Sequence, residues 1–162
     1  MYHWILLAQQ AFFTMLIIIV RPFFKKNPKP VVVLYGHQFS GNLKALYKQW
    51  KQTHQSRLDL YFLTLDPEHA QKTRQEGVNI LQCNCLNDML TLAQASAIIT
   101  DHGLHTMQPL VNLTDIRFID VWHGIPFKGF VADDFKLQHH YDEVWVSSPM
   151  IAKLYCEKLG FD

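Results

Sequence analysis

Hydrophobic and polar positions alternate along this chain in blocks that predict repeating strand and helix units. Residues 31–35 form an unbroken apolar run rich in β-branched side chains, which is typical of a strand buried on both faces of a sheet. Further strands are predicted at five later runs: 58–65, 78–82, 97–100, 116–122 and 143–147. Units of this size predict an α/β domain whose open parallel sheet has about six strands joined by right-handed crossovers.

Local signals predict where the helices between these strands begin and end. Residues 43–53 place apolar side chains at helical spacing on one face. Asp66 and Ser148 are each followed by proline. A capping residue followed by proline predicts the start of a helix, because the side chain caps the first turn and proline is tolerated within that turn. Gly160 is the predicted stop of the last helix.

An uncharged apolar stretch precedes the first strand. From Tyr2 to Val20 it has about 19 residues, or roughly 28 Å as a helix, which is the lower limit for crossing a bilayer core. This length favours a membrane anchor. A helix lying in the membrane interface stays open because Gln9 and Gln10 interrupt the stretch, and so does a helix buried in the protein core.

Charges after the apolar stretch predict its orientation and the domain organisation. The basic residues follow at once: Arg21, Lys25, Lys26 and Lys29. By the positive-inside rule, they place the rest of the chain on the cytoplasmic face of the cell membrane. We therefore expect an anchor or interfacial helix over 1–24, a basic proline-containing linker over 25–30, and a folded domain over 31–162.

Composition narrows the class of protein. The chain has 162 residues, of which 49% are hydrophobic, so it is long and apolar enough for one ordinary domain with a real core. Its formal net charge of +1 does not favour nucleic acid as a partner. Its three cysteines form no disulfide framework and indicate reduced thiols.

The segment that ends the fifth predicted strand carries the clearest candidate chemistry. The run 116–122 stops at His123 and Gly124, and Lys128 follows. Ligands bind at the carboxyl ends of strands in open α/β sheets, so His123 is a candidate proton acceptor and Lys128 a candidate phosphate partner. A structural histidine and a solvated lysine remain the alternatives.

Two other loops are expected at the same sheet edge. The loop after the first strand carries Ser40 and Asn42, which either donate to a phosphate at the helix start or cap the helix. The loop after the fourth strand carries Asp101 and His102. This pair is a candidate for lining a cleft, for orienting a base or for binding a metal, and ordinary turn chemistry also explains it.

Three segments together resemble one enzyme family. Residues 122–128, Trp-His-Gly-Ile-Pro-Phe-Lys, resemble the Trp-His-Gly-Thr-Pro-Leu-Lys signature of the CDP-glycerol glycerophosphotransferases of teichoic-acid synthesis. Residues 35–42 and 98–101 are similar to the family's first strand-loop and to the strand before the signature. The resemblance covers roughly 31–162, and Ile125 and Asp120 depart from the family pattern.

The resemblance implies a fold and a reaction. It implies a Rossmann-like domain, namely the N-terminal, acceptor-side domain of a glycosyltransferase-B fold. It implies transfer of glycerol phosphate from CDP-glycerol to a hydroxyl of a lipid-linked glycan or poly(glycerol phosphate) acceptor, without a metal or other cofactor. In this reaction His123 is the expected base, and the expected substrate contacts are Gly124, Lys128, Ser40, Asn42, Asp101 and His102. Membrane lipids are expected partners of the basic N-terminal segment.

Chain length leaves two other functions open. Enzymes of this family have a second domain that holds most of the donor site, and 162 residues correspond to the first domain alone. We therefore expect this stretch to be inactive by itself. The alternatives are a non-catalytic, membrane-tethered module that binds a nucleotide or a partner, and another glycosyltransferase-B enzyme that uses a nucleotide sugar.

Overall fold

The protein folds around a parallel sheet with helices on both faces. The computed structural model describes residues 2–24, 28–53, 55–104, 107–122 and 132–162. The strands within these ranges are β1 (Val31–Tyr35), β2 (Asp59–Leu63), β3 (Ile80–Leu81), β4 (Ala95–Thr100), β5 (Arg117–Asp120) and β6 (Glu143–Val144). The helices are α1 (Tyr2–Val20), α2 (Gly41–Thr53), α3 (Pro67–Gln75), α4 (Leu86–Ala93), α5 (Pro109–Leu113) and α6 (Pro149–Leu159). The order of the six described strands is β3-β2-β1-β4-β5-β6, and all pairs are parallel, which confirms the expected open α/β sheet.

The predicted helix starts and stops are confirmed by their hydrogen bonds. The Asp66 carboxylate accepts from the backbone nitrogens of Glu68 and His69 at 2.9 and 3.1 Å. The Ser148 hydroxyl accepts from the backbone nitrogen of Ile151, so it caps α6 in the same way. Gly160 ends α6 with a φ of 73°, a left-handed conformation that glycine adopts without steric cost.

Two buried clusters lie on opposite faces of the sheet. On one face, strand residues pack against α2 and α3, with Leu43, Tyr47 and Ala70 buried. On the other face, alternate strand residues pack against α1, α4 and α5, with Met89 and Leu110 buried. The loop after β1 therefore leads to a helix on one face of the sheet, and the loop after β4 leads to a helix on the other face. These two strands are nevertheless neighbours in the sheet.

The N-terminal helix packs on the domain. Ile17 is 1% exposed and belongs to the cluster formed with α4 and α5. Arg21 donates to the carbonyl oxygens of Ala93 and Ala95 at 2.8 and 2.7 Å and also pairs with Asp115. Within the part of the chain that the structure describes, no helix combines the length and the apolar character that crossing a membrane requires.

Several elements differ in extent from the sequence prediction. The outer strands β3 and β6 have two residues each, because each is paired on one side only and over two register positions. Helix α5, Pro109–Leu113, was not predicted, since five residues are too few to show a helical period. Strand β5 ends at Asp120, before the predicted Trp122.

Candidate functional site

The candidate site lies where the carboxyl ends of β1, β4 and β5 meet. Tyr35, the last residue of β1, pairs with Thr100 of β4, and Thr100 pairs with Asp120 of β5. The connections after β1 and β4 lead to helices on opposite faces of the sheet. Such a topological switch point opens a crevice outside the strand ends, which is where open α/β sheets bind ligands.

A buried carboxylate and two histidines meet at this switch point. The Asp101 side chain is 4% exposed, and its Oδ1 lies 2.6 Å from Nδ1 of His102. The His37 ring packs edge-on against the His102 ring with 5.2 Å between centroids. The structure thus brings together Asp101 and His102, which the sequence predicted, with His37, which sequence reasoning missed.

Gly36 makes room for this cluster. A Cβ atom at residue 36 would lie 2.8 Å from Asp101 Oδ1 and 2.7 Å from Leu43 Cδ1, closer than real Cβ atoms approach other atoms. The absence of a side chain therefore allows the β1 loop to lie directly against the Asp101 carboxylate. A glycine immediately after a buried strand was the signal in the sequence for this close approach.

Asn42 connects the start of α2 to the end of β5. Its side-chain amide donates to the carbonyl oxygens of Val121 and Trp122 at 2.7 and 2.8 Å. The Asn42 amide nitrogen is therefore engaged by protein backbone. Ser40 is exposed, and its carbonyl oxygen accepts from the backbone nitrogen of Lys44 at 3.2 Å in the first turn of α2. Of these two predicted substrate contacts, Asn42 therefore holds the end of β5, whereas Ser40 is exposed to solvent.

A second buried carboxylate supports the end of β5. Asp120 is 2% exposed and accepts from the backbone nitrogen of Trp122 at 2.8 Å. Burial raises the pKa of Tyr35 to about 12 and also raises the pKa of Tyr141, and the negative charge of Asp120 adds to the rise at Tyr141. Tyr35 and Tyr141 are therefore harder to ionise than an exposed tyrosine, because both phenols are buried.

His69 anchors the loop that carries His37. Its Nε2 accepts from the backbone nitrogen of Phe39 at 2.9 Å, so a side chain of α3 holds the loop between β1 and α2. The Phe39 side chain is buried and packs on Phe62 with 5.0 Å between ring centroids. The sequence contained no signal for this contact, since 30 residues separate its partners.

A cleft of about 600 Å³ extends from the strand ends between α2 and α6. Asn42 and Leu46 of α2 form one side, Tyr155 of α6 forms the other, and Trp122 and Trp145 line it as well. The size is within the range of small-ligand sites, and the aromatic lining offers flat apolar surfaces.

Three predicted site residues lie outside the described part of the chain. They are His123, Gly124 and Lys128. Their roles therefore stay predictions, although the structure describes the two residues that precede His123. Among the described residues, no group of three or more His, Cys, Asp or Glu side chains is arranged to hold a metal ion.

The chain is similar to known proteins in its sequence and in its fold. The sequence profile described as CDP-Glycerol:Poly(glycerophosphate) glycerophosphotransferase matches residues 13–154. No curated protein matches the sequence significantly. Among solved structures, the fold is similar to a variant of the wall teichoic acid polymerase TagF with a TM-score of 0.59 and 12% identity, covering 94% of this chain and 40% of that chain.

Proposed function

Because the chain belongs to the CDP-glycerol:poly(glycerophosphate) glycerophosphotransferase family, we propose that it forms the acceptor-side half of an enzyme that transfers glycerol phosphate from CDP-glycerol. The acceptor is a hydroxyl of a membrane-linked glycan or of a growing poly(glycerol phosphate) chain. The new bond joins that hydroxyl oxygen to the β-phosphorus of CDP-glycerol, and the bond to the departing CMP breaks.

The observation that carries this proposal is the position of Trp122. It is the first residue of the family-like segment 122–128, and it lies at the carboxyl end of β5 beside the switch point. Two hydrogen bonds support it, one from the Asn42 amide to its carbonyl and one from its backbone nitrogen to Asp120. Trp122, the residue that precedes His123, is therefore held by residues of two different elements.

We assign the proton transfer to His123 in this proposal. A hydroxyl is a poor nucleophile until a base removes its proton, and imidazole does this efficiently near neutral pH. Lys128 contributes a positive charge for the developing negative charge on the phosphoryl oxygens, and Gly124 allows close approach of backbone to substrate. Ser40, which is exposed at the start of α2, contacts an acceptor phosphate.

The proposed catalytic unit is larger than this stretch. The similar polymerase has a longer chain, of which this one spans 40%. We propose that a second domain supplies the donor-binding wall and that the described domain alone does not turn over. The cleft between α2 and α6 opens beside the strand ends, where such a wall would meet it.

We further propose that α1 associates with the cytoplasmic face of the cell membrane without crossing it. Phe12, Met15 and Ile19 are 64%, 56% and 60% exposed and recur at helical spacing, so they form an apolar strip directed away from the packed face. Arg21 is engaged within the protein, and Lys29 pairs with Asp59. Lys25 and Lys26 are therefore the residues proposed to contact anionic headgroups.

A transfer assay tests the catalytic proposal. Radiolabelled CDP-glycerol is offered to a membrane acceptor with the chain in its two-domain context, and His123→Ala is compared with His140→Ala, an exposed histidine elsewhere. Loss of a general base lowers turnover by about 10²-fold or more, whereas the control keeps its rate. If His123→Ala stays within about threefold of the parent rate, the proposed role is wrong. If nucleotide sugars compete with CDP-glycerol for the enzyme and donate in its place, the protein is a different transferase.

A further inference from the structure

Trp145 is a large aromatic side chain that the transfer chemistry assigned to His123 does not use. It is 43% exposed and lines the cleft between α2 and α6. It follows β6, and it lies with the two helices in the continuous described ranges 28–53 and 132–162. An indole in a cleft offers a broad apolar surface with one polar edge, so Trp145 is a candidate contact for a ligand.

The indole of Trp145 is held in a fixed orientation. Its Nε1 donates to Oε2 of Glu143 at 2.7 Å, and Oε1 of the same carboxylate pairs with Arg117. Its backbone nitrogen donates to the carbonyl oxygen of Asp120 at 2.7 Å. Within the described part of the chain, no other aromatic ring packs on this indole. The ring is therefore preorganised, and a ligand that packs on it costs the side chain little further conformational entropy.

The cleft presents polar groups without charge. Of its described lining residues none is charged, and the polar ones are Asn42, Gln49 and Ser147. The Asn42 amide nitrogen is engaged at the end of β5, which leaves Oδ1 as an acceptor. The exposed side chains of Gln49 and Ser147 form no hydrogen bond with other described residues. A neutral ligand with hydroxyl groups therefore meets donors and acceptors beside an apolar surface.

The start of α6 does not convert this cleft into an anion site. Ser148 already caps the helix by accepting from the Ile151 nitrogen, and Pro149 has no N–H group to offer. A nucleotide or a poly(glycerol phosphate) chain carries phosphates, which require cations or free backbone donors. Neither kind of partner is supplied by the described side chains of the cleft.

A sugar ring matches these features. A pyranose presents C–H groups on its face and hydroxyl groups around its edge. The face packs on an aromatic ring, and the hydroxyl groups bond to side-chain amides and hydroxyls. Trp145 supplies the first kind of contact, and Gln49 and Ser147 supply the second.

We propose that the cleft is a subsite for a neutral sugar ring, with Trp145 as its stacking surface and Glu143 as the residue that positions the indole. The identity of the natural ligand rests on the proposed function. Of the two acceptors considered there, the subsite selects the membrane-linked glycan over poly(glycerol phosphate). Binding of the sugar itself requires neither a donor nor transfer.

Nuclear magnetic resonance of the indole N–H groups tests the subsite in the ¹⁵N-tryptophan-labelled chain. Methyl glycosides of glucose, galactose and N-acetylglucosamine are titrated, with glycerol 3-phosphate and cytidine as comparison ligands. A saturable shift is expected at Trp145 with at least one glycoside. None is expected at Trp50, whose buried indole donates to the Leu58 carbonyl. No shift at Trp145 with any glycoside, or tighter binding of glycerol 3-phosphate or cytidine, would overturn the proposal.

Variants of the stacking residue test its contribution to affinity, measured by ligand-observed resonance. Trp145→Ala should weaken the glycoside by about tenfold, because the aromatic contact is lost. Trp145→Phe keeps a smaller ring and should recover part of that loss. The unchanged Trp50 signal reports that both variants are folded. Undiminished binding in Trp145→Ala contradicts the proposal.

Variants of Glu143 test the positioning role. Glu143→Gln keeps an acceptor for the indole N–H and should retain most of the affinity. Glu143→Ala removes that acceptor, so it should shift the Trp145 indole signal without ligand and weaken the glycoside by about threefold. Equal affinities of the two variants would show that Glu143 does not position the ring.

The proposed function and this subsite fail in different ways. If transfer from CDP-glycerol is absent but glycosides still shift the Trp145 signal, the catalytic assignment is wrong and the subsite stands. If transfer occurs, Trp145→Ala should raise the KM for a glycan acceptor more than the KM for a poly(glycerol phosphate) acceptor. Equal rises in the two KM values, or a fall in kcat alone, would overturn the subsite.

Discussion

Gly36 lies so close to Asp101 that a single methyl group at residue 36 would come within 2.8 Å of the Asp101 carboxylate oxygen. The same methyl group would also meet the Leu43 side chain at 2.7 Å. Two loops of the switch point are therefore packed against each other, and the orientation of His102 depends on this contact because Asp101 holds its ring.

Gly36→Ala should destabilise the domain and disturb His102 together. Overpacking of this kind costs about 1–3 kcal/mol in the free energy of unfolding, measured by urea denaturation. The imidazole ¹⁵N shifts of His102 should change in the same variant. Gly41→Asn is the matched control, because no atom lies within 4 Å of a Cβ there and asparagine tolerates its positive φ of 52°. Wild-type stability and His102 shifts in Gly36→Ala would refute the packing argument.

Asn42→Asp should loosen the end of β5. The aspartate cannot donate to the Val121 and Trp122 carbonyls, and its charge repels them. We expect a loss on the order of 2 kcal/mol in unfolding free energy, since two buried or half-buried acceptors lose their partner. Faster amide hydrogen exchange at Val121 and Trp122 would locate the change. Gln49→Ala, on an exposed position of the same helix, should have little effect.

Arg21→Met should release α1 from the domain. The substitution keeps an apolar stem but removes the donors to the Ala93 and Ala95 carbonyls. Stability should fall by roughly 2–3 kcal/mol, and limited proteolysis should cleave within α1 sooner. Lys153→Met removes an exposed ion pair with Glu157 and should cost less than about 1 kcal/mol. Equal effects of the two substitutions would contradict the anchoring role of Arg21.

Tyr141→Phe should leave the domain as stable as before or stabilise it by on the order of 1 kcal/mol. The Tyr141 hydroxyl is buried, and no hydrogen-bond partner for it is found in the described structure. Tyr47→Phe is the matched comparison, because the Tyr47 hydroxyl accepts from the Asn79 backbone nitrogen at 2.8 Å. That variant should lose about 1–2 kcal/mol in thermal unfolding, since Asn79 is left without its acceptor.

Alkaline pH should destabilise the domain through its buried phenols. An exposed tyrosine ionises near pH 10, whereas burial raises the pKa of Tyr35 to about 12 and that of Tyr155 to about 12. Between these values the unfolded chain binds fewer protons than the folded one, so stability present below the lower pKa is lost as pH rises through the upper one. Urea denaturation from about pH 9 to 12 should show the decline, and Tyr35→Phe should make it shallower. Identical pH curves for the parent and Tyr35→Phe would exclude this origin.

Much of the fold was predictable because its signals are local. The β-branched run of β1, the capping side chains of Asp66 and Ser148 and the glycine at 160 act within one or two turns of chain. Hydrophobic periodicity also marked the buried face of α2, where Leu43, Tyr47 and Trp50 are buried. Strand limits were less accurate, because pairing with a neighbour determines where a strand ends.

The sequence alone determined the alternation of strands and helices, the helix caps and the family-like segment that begins at Trp122, since each depends on residues close together in the chain. Only the tertiary structure decided that His37 meets His102 and that Asn42 supports Trp122, because these partners lie far apart in sequence and meet through strand order. It also decided that α1 packs through Ile17, since burial of a helix depends on the surface it meets and not on its own apolar content.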